Sequence, residues 1–138
     1  MSTKYKAMVL SCMDPRFQPI VYNYLKRKKL TGKYSAFTIA GATLGVTHNK
    51  FKKWQNVFLE NLATSIKIHK IKKLIVINHQ DCGVAKIING KKKFNNLNEM
   101  NIHKNSFINF KKLIKKKFPT LKFEMSIISL NKKIFRFN

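Results

Sequence analysis

Two cysteines occur in this 138-residue sequence, and each ends an apolar run. Cys12 follows Ala7-Met8-Val9-Leu10 in the stretch Ser11-Cys12-Met13-Asp14-Pro15-Arg16. Cys82 follows Leu74-Ile75-Val76-Ile77 in the stretch Asn78-His79-Gln80-Asp81-Cys82-Gly83. Thiolate and imidazole are good zinc ligands, and two Cys with one His leave one tetrahedral position open. An open position suits hydration or hydrolysis, because zinc lowers the pKa of bound water toward ~7. His-x-x-Cys lets two side chains reach one ion from a tight turn. Cys-x-Asp-x-Arg sets Asp14 and Arg16 beside that ion, as a charge-assisted pair able to orient a bound water. Singly, each residue has a plainer reading. A buried Cys is a small apolar filler, a His at a strand end is a hydrogen-bonded polar group, and Asp-x-Arg is a surface ion pair. Jointly they favour one zinc ion held by Cys12, His79 and Cys82.

The elements that would bring the two stretches together can be read from periodicity. Residues 6–11 read as a strand. Phe17 to about Lys29 has helical spacing at Ile20, Val21, Tyr24 and Leu25, with Pro19 in its first turn. Tyr34–Ile39 reads as a second strand, followed by the small segment Ala40-Gly41-Ala42, which lets backbone pass close to a site. Residues 43–51 read as a loop. Lys53 to His69 is amphipathic, with Val57, Phe58, Leu62 and Ile66 expected inside. Leu74–Asn78 is an unalternating apolar run, as in a parallel strand covered on both faces. Residues 84–88 suit a short helix, 89–100 a polar loop, and Ile102 to Phe118 a helix ended by Pro119. Phe123–Leu130 and Lys133–Phe137 read as a strand and a short antiparallel partner.

This order predicts an α/β fold over residues 1–138 as one domain. The sheet is mostly parallel, four strands in the order 2-1-3-4 with a C-terminal antiparallel strand, and has helices on both faces. Ligands gather at the carboxyl ends of such strands, where strand order reverses. Strands one and three flank that point, and their ends carry Cys12 and His79/Cys82.

No apolar run approaches the ~20 residues of a membrane span. Met1–Lys6 leads directly into the first strand, so no signal peptide and a cytoplasmic location are expected. In a reducing compartment two cysteines are thiols or metal ligands rather than a disulfide. The formal charge is +24, and 26 of the 29 basic residues are Lys. Asn (14) and Ile (15) are also abundant. This pattern fits codon bias and a solvated surface better than a specific nucleic-acid binder, which relies on Arg for bidentate contacts.

The two motifs resemble those of the β-class carbonic anhydrases. Ser-Cys-Met-Asp-Pro-Arg-Phe resembles the family's Cys-x-Asp-x-Arg, and Asn-His-Gln-Asp-Cys-Gly its His-x-x-Cys-Gly. Ala40-Gly41 falls at its Asn-Ala-Gly segment. The resemblance runs from about Ala7 to the C-terminal hairpin. It implies Zn2+ on Cys12, His79 and Cys82, a catalytic pair of Asp14 and Arg16, and substrate contacts at Gly41 and Gly83. It implies reversible hydration of carbon dioxide to bicarbonate and a proton by zinc-bound hydroxide, in a homodimer or higher homo-oligomer. In some members the aspartate of the pair moves onto zinc. The sequence departs from the family in having Thr38-Ile39 where Arg-Asn is usual, in having no Gln before Cys12, and in lacking the N-terminal helices that embrace a partner subunit. Two other readings stand beside this one. The first is a zinc hydrolase acting on carbon disulfide or carbonyl sulfide, and the second is a non-catalytic zinc or basic nucleic-acid-associated module. His48, His69 and His103 are expected to be structural or solvent-exposed.

Overall fold

The structure is a computed structural model that describes residues 4–137. Of the start of the chain, Met1–Thr3 lies outside the described residues. Five strands, β1 (Ala7–Cys12), β2 (Tyr34–Ile39), β3 (Lys73–His79), β4 (Lys122–Ile128) and β5 (Ile134–Phe137), form one sheet in the order β2-β1-β3-β4-β5. The first four are parallel and β5 is antiparallel to β4. The expected strand order and the antiparallel closing strand are therefore present.

Among the described residues, five α-helices cover the sheet: α1 (Gln18–Arg27), α2 (Thr43–Thr47), α3 (Lys52–His69), α4 (Gly83–Asn89) and α5 (Asn96–Lys117). One face takes α1 alone. Val21 and Leu25 of α1 pack on Ala7, Val9, Ile75, Ile77 and Ile128. The other face takes the remaining helices, with Phe58, Leu62, Phe107, Phe110 and Ile114 against Met8, Leu10, Leu74, Val76 and Met125. All of β1 and nearly all of β3 is buried, which explains their unalternating apolar runs. Each fully buried Leu or Phe contributes about 1.5–3 kcal/mol of hydrophobic stabilisation.

Three local expectations need correction. Residues 43–51 are not a loop: they form α2 and a 3-10 turn, Asn49–Phe51. The α2 sequence Thr-Leu-Gly-Val-Thr has poor helix propensity. Tertiary contacts hold it instead, since the Thr43 N–H donates to Asn78 Oδ1 at 3.3 Å and the Ser106 hydroxyl of α5 donates to Thr43 Oγ1 at 2.6 Å. Helix α5 begins at Asn96, inside the segment read as a loop, because Asn95 caps it by accepting from the Asn98 N–H at 2.8 Å. On α3, Phe58 and Leu62 are buried and Ile66 packs on the core as expected, but Val57 faces solvent and Leu59 and Ser65 take inner positions.

Candidate metal centre

Strands β1 and β3 are parallel neighbours, with Ser11 paired to Ile77. Their carboxyl ends therefore lie side by side and deliver Cys12 and His79 to one place. The chain then turns through Gln80 and Asp81, and Cys82 becomes the N-cap of α4. Asp81 occupies the left-handed region at φ 59°, which reverses the backbone tightly enough to return Cys82 to His79. The ligand atoms of Cys12, His79 and Cys82 all lie within 4.8 Å of one another, and all three residues are buried.

The chemistry of these donors fits a cation. His79 Nδ1 donates to the Gln80 carbonyl at 2.8 Å, which leaves the lone pair on Nε2. That Nε2 is buried with no hydrogen-bond partner, and it points into the group of sulfurs. The cost of an orphaned buried acceptor disappears when it binds a metal.

The two thiols titrate as a pair. The Cys82 thiol as donor, opposed by burial and assisted by His79 and the Gly41 and Asp14 N–H groups, draws Cys12 down to about 4. The Cys12 thiolate beside it, and burial, push Cys82 well above the usual thiol range. One proton thus leaves easily and the second is held until a cation replaces it. Burial draws His79 down, but Cys12, the Gln80 carbonyl and Asp14 together carry it above its ordinary value. The Gly41 N–H reaches Cys12 Sγ at 3.3 Å, as the small Ala40-Gly41-Ala42 segment allows.

Asp14 stands beside the cluster and outside it. Its Oδ2 lies 3.8 Å from His79 Nε2 and 2.8 Å from Arg16 Nη2. Arg16 Nε donates to both carboxylate oxygens at 3.2 and 3.3 Å, and the Arg16 N–H donates to Oδ1 at 2.9 Å. Arg16 holds the Asp14 carboxyl below its ordinary range. The guanidinium also bridges to Asp81, through its carboxylate at 3.0 Å and its carbonyl at 3.0 Å. Arg16 therefore fastens the two motif loops together across the cluster.

Several residues around the site were not singled out by sequence reasoning. Gln18 donates to the Cys12 carbonyl and to Ser11 Oγ. Glu99 of α5 accepts the N–H of Asp81 at 2.8 Å and that of Cys82 at 2.9 Å. His103 is buried within α5, with Nε2 3.2 Å from Glu99 Oε2. His103 was expected to be structural or solvent-exposed and is structural; for Glu99 the Glu-x-x-x-His spacing was the available signal, masked by the polar composition of residues 89–100. The other two histidines have structural roles: His69 Nδ1 meets Ser35 Oγ at 2.8 Å, and His48 Nδ1 accepts the Lys50 N–H at 3.2 Å. Gly83 opens α4, and Gly41 adjoins Cys12.

The sheet and the placement of this site define the fold of the β-carbonic anhydrases. The β-carbonic anhydrase CafD of Aspergillus fumigatus superposes with a TM-score of 0.67 at 9% identity, covering 99% of this chain and 91% of that one. CafA of the same fungus gives 0.61 at 12% identity, covering 99% and 77%. One of two tetrameric β-carbonic anhydrases of Sordaria macrospora gives 0.58 at 10%, covering 99% and 82%. At the level of sequence, the family described as "Putative carbonic anhydrase" matches residues 2–127, and the chain belongs to it. Uncharacterised proteins of Rickettsia conorii and Rickettsia bellii are each 24% identical over 125 residues, covering 90% of this chain and 67% and 76% of theirs. No helix among the described residues is long and apolar enough to cross a membrane.

Proposed function

We propose that the protein is a zinc-dependent carbonic anhydrase that interconverts carbon dioxide and bicarbonate. The observation that carries this reading is the convergence of Cys12, His79 and Cys82 within 4.8 Å beside an Asp14 carboxylate held by Arg16. Cys12, His79 and Cys82 hold the ion. When bound, zinc supplies an acidified water and a Lewis-acidic position for addition to a small electrophilic carbon.

The chain's own residues do the rest. Asp14 is an acceptor directed at the donor cluster, and it remains a carboxylate because Arg16 stabilises the charged form. It accepts a hydrogen bond from the nucleophile's remaining proton and so aims a lone pair at the substrate carbon. Arg16 has no free rotation while it is forked onto Asp14 and tied to Asp81. In this reading the backbones at Gly41 and Gly83 orient substrate oxygen. The product proton leaves to solvent buffer along the exposed Met13–Arg16 rim. The protein works in the cytoplasm as a homo-oligomer of a single-domain chain.

Stopped-flow hydration of carbon dioxide by zinc-loaded protein tests this. Hydration above the uncatalysed rate, lost in Cys82→Ser and reduced at least a hundredfold in Asp14→Ala, is expected. Stoichiometric zinc without hydration above pH 8 would sink the reading. Turnover of carbon disulfide or carbonyl sulfide in the same assay would assign the fold to a related hydrolase.

A further inference from the structure

A continuous chain of buried polar groups runs from the Cys82 loop to the loop beside Cys12. Glu99 is 4% exposed, His103 0% and Asn78 1%. Glu99 Oε1 takes the Asp81 N–H at 2.8 Å and Oε2 the Cys82 N–H at 2.9 Å. His103 links Glu99 Oε2, 3.2 Å from Nε2, to Asn78 Nδ2, 2.9 Å from Nδ1. Asn78 Nδ2 donates to Thr43 Oγ1 at 2.8 Å, and its Oδ1 accepts the Thr43 N–H at 3.3 Å. Thr43 lies two residues from Gly41, whose N–H donates to Cys12 Sγ.

The chain has one direction. An ionised carboxylate only accepts, so His103 carries its proton on Nε2 and presents a lone pair at Nδ1. Asn78 must then turn its NH2 toward His103, which places its carbonyl oxygen on the Thr43 N–H. Each N–H along this chain meets an acceptor, and the direction is set by Glu99.

We propose that Glu99, His103 and Asn78 are positioning residues that lock the Cys82 turn and the Gly41–Thr43 segment at the start of α2 into one arrangement around the donor cluster. The proposal rests on reading that cluster as a metal centre. Its function is to hold two backbone segments, one carrying a ligand and the other carrying the N–H that bonds to a ligand sulfur. A purely structural network would affect stability only, whereas a positioning network also affects the metal's surroundings.

The sharpest substitution is Glu99→Gln. Three N–H groups converge on the two oxygens, and an amide places its NH2 against at least one of them. His103→Gln interrupts the chain farther from the ligands. Leu62→Ala, on α3 in the core, is the control for lost stability alone. The probe is Co2+, read by its thiolate charge-transfer band and by its release to a chelator, with thermal unfolding measured in parallel. Glu99→Gln is expected to release cobalt about tenfold faster than wild type and to shift the band, as is usual for partners that orient metal ligands. His103→Gln is expected to move both readouts in the same direction by less, and it carries the comparison if Glu99→Gln does not fold. Leu62→Ala is expected to unfold at lower temperature with an unchanged band and release rate.

Wild-type release and band in both chain variants overturn the proposal while leaving the metal reading intact, and so does equal acceleration in Leu62→Ala. A wild-type protein that gives no thiolate band overturns the metal reading and this proposal with it.

Discussion

The rings of Phe17 and His79 are stacked, with centroids 4.2 Å apart and planes inclined by 21°. Phe17 is buried, and the Arg16 guanidinium lies 5.2 Å from its ring centroid. The residue after the Cys-x-Asp-x-Arg motif is thus a support for the imidazole of the other motif. Phe17→Ala is expected to cost about 3 kcal/mol, from the lost burial and the cavity left behind. It should also release metal faster, because the His79 ring loses its wall. Phe17→Leu retains most of the volume but not the flat face. Urea unfolding and metal release on the two variants would separate packing from ring orientation.

Asp14 and Arg16 are tied more tightly to each other than either is to Asp81. Arg16→Ala removes the fork, and carbon dioxide hydration should fall about a hundredfold. The Asp14 carboxyl should rise toward its ordinary value, visible in an NMR titration. Asp81→Asn tolerates the same left-handed backbone and preserves the Asp81 carbonyl contact to Arg16. Its expected loss is under tenfold. Equal damage from both variants would show that the Asp81 charge, rather than the fork on Asp14, governs Arg16.

Glu124 predicts an acid-dependent stability. It is buried on β4 and paired with Lys28 at 2.7 Å, Lys73 at 2.8 Å and Arg136 at 3.2 Å. Burial raises its carboxyl, but Lys28, Lys73 and the Tyr24 hydroxyl outweigh that and bring it down to about 2. A folded-state value below the unfolded one gives stability at neutral pH that fades as pH falls through the range from about 4.5 to 2. Glu124→Gln should therefore be less stable than wild type by about 3 kcal/mol at pH 7. At pH 3 the gap should narrow by more than half. A gap independent of pH, in denaturant titrations at both values, would contradict the assignment.

Two glycines near the site differ in what they tolerate. A Cβ on Gly41 would meet Val84 Cβ and Cγ1 at 2.8 Å, at a φ of 81°. Gly41→Ala is expected to cost at least ~2 kcal/mol and to move the N–H off Cys12 Sγ. A Cβ on Gly83 meets nothing within 4 Å. Gly83→Ala should change stability by less than ~0.5 kcal/mol. If the Gly83 backbone orients substrate, hydration should also survive that change, and thermal unfolding with stopped-flow rates on both variants would decide.

The sequence made the centre of the sheet and the donor set legible for a physical reason. β1 and β3 are covered on both faces, so their apolar runs are uninterrupted, and the only two cysteines follow them. The surrounding supports were harder to read. Helix α2 is held by Asn78 rather than by propensity, so Thr43–Thr47 looked like a loop. Glu99 and His103 are polar residues at inner positions of α5, where an apolar pattern gives no signal, and the Asn-rich surroundings of Glu99 suggest a loop. Val57 was misplaced because it stands one residue before the buried Phe58, about 100° round the helix, and apolar spacing alone does not separate the edge of the stripe from its centre. Phe17 looked like one more apolar residue at the start of α1, since stacking on His79 depends on two strand ends meeting.

The closeness of Cys12 and Cys82 also has a redox consequence. Their sulfurs lie within 4.8 Å, and Cys12 is the better thiolate of the two. A disulfide requires about 2.05 Å, so a small inward movement of the Cys82 turn would let an oxidant join them. Metal and oxidant therefore compete for the same electron pairs. In protein stripped with a chelator, hydrogen peroxide should consume both thiols, whereas zinc-loaded protein should keep them. Thiol counting after a brief oxidant pulse then measures what fraction of a preparation carried its ion, with no assay of turnover.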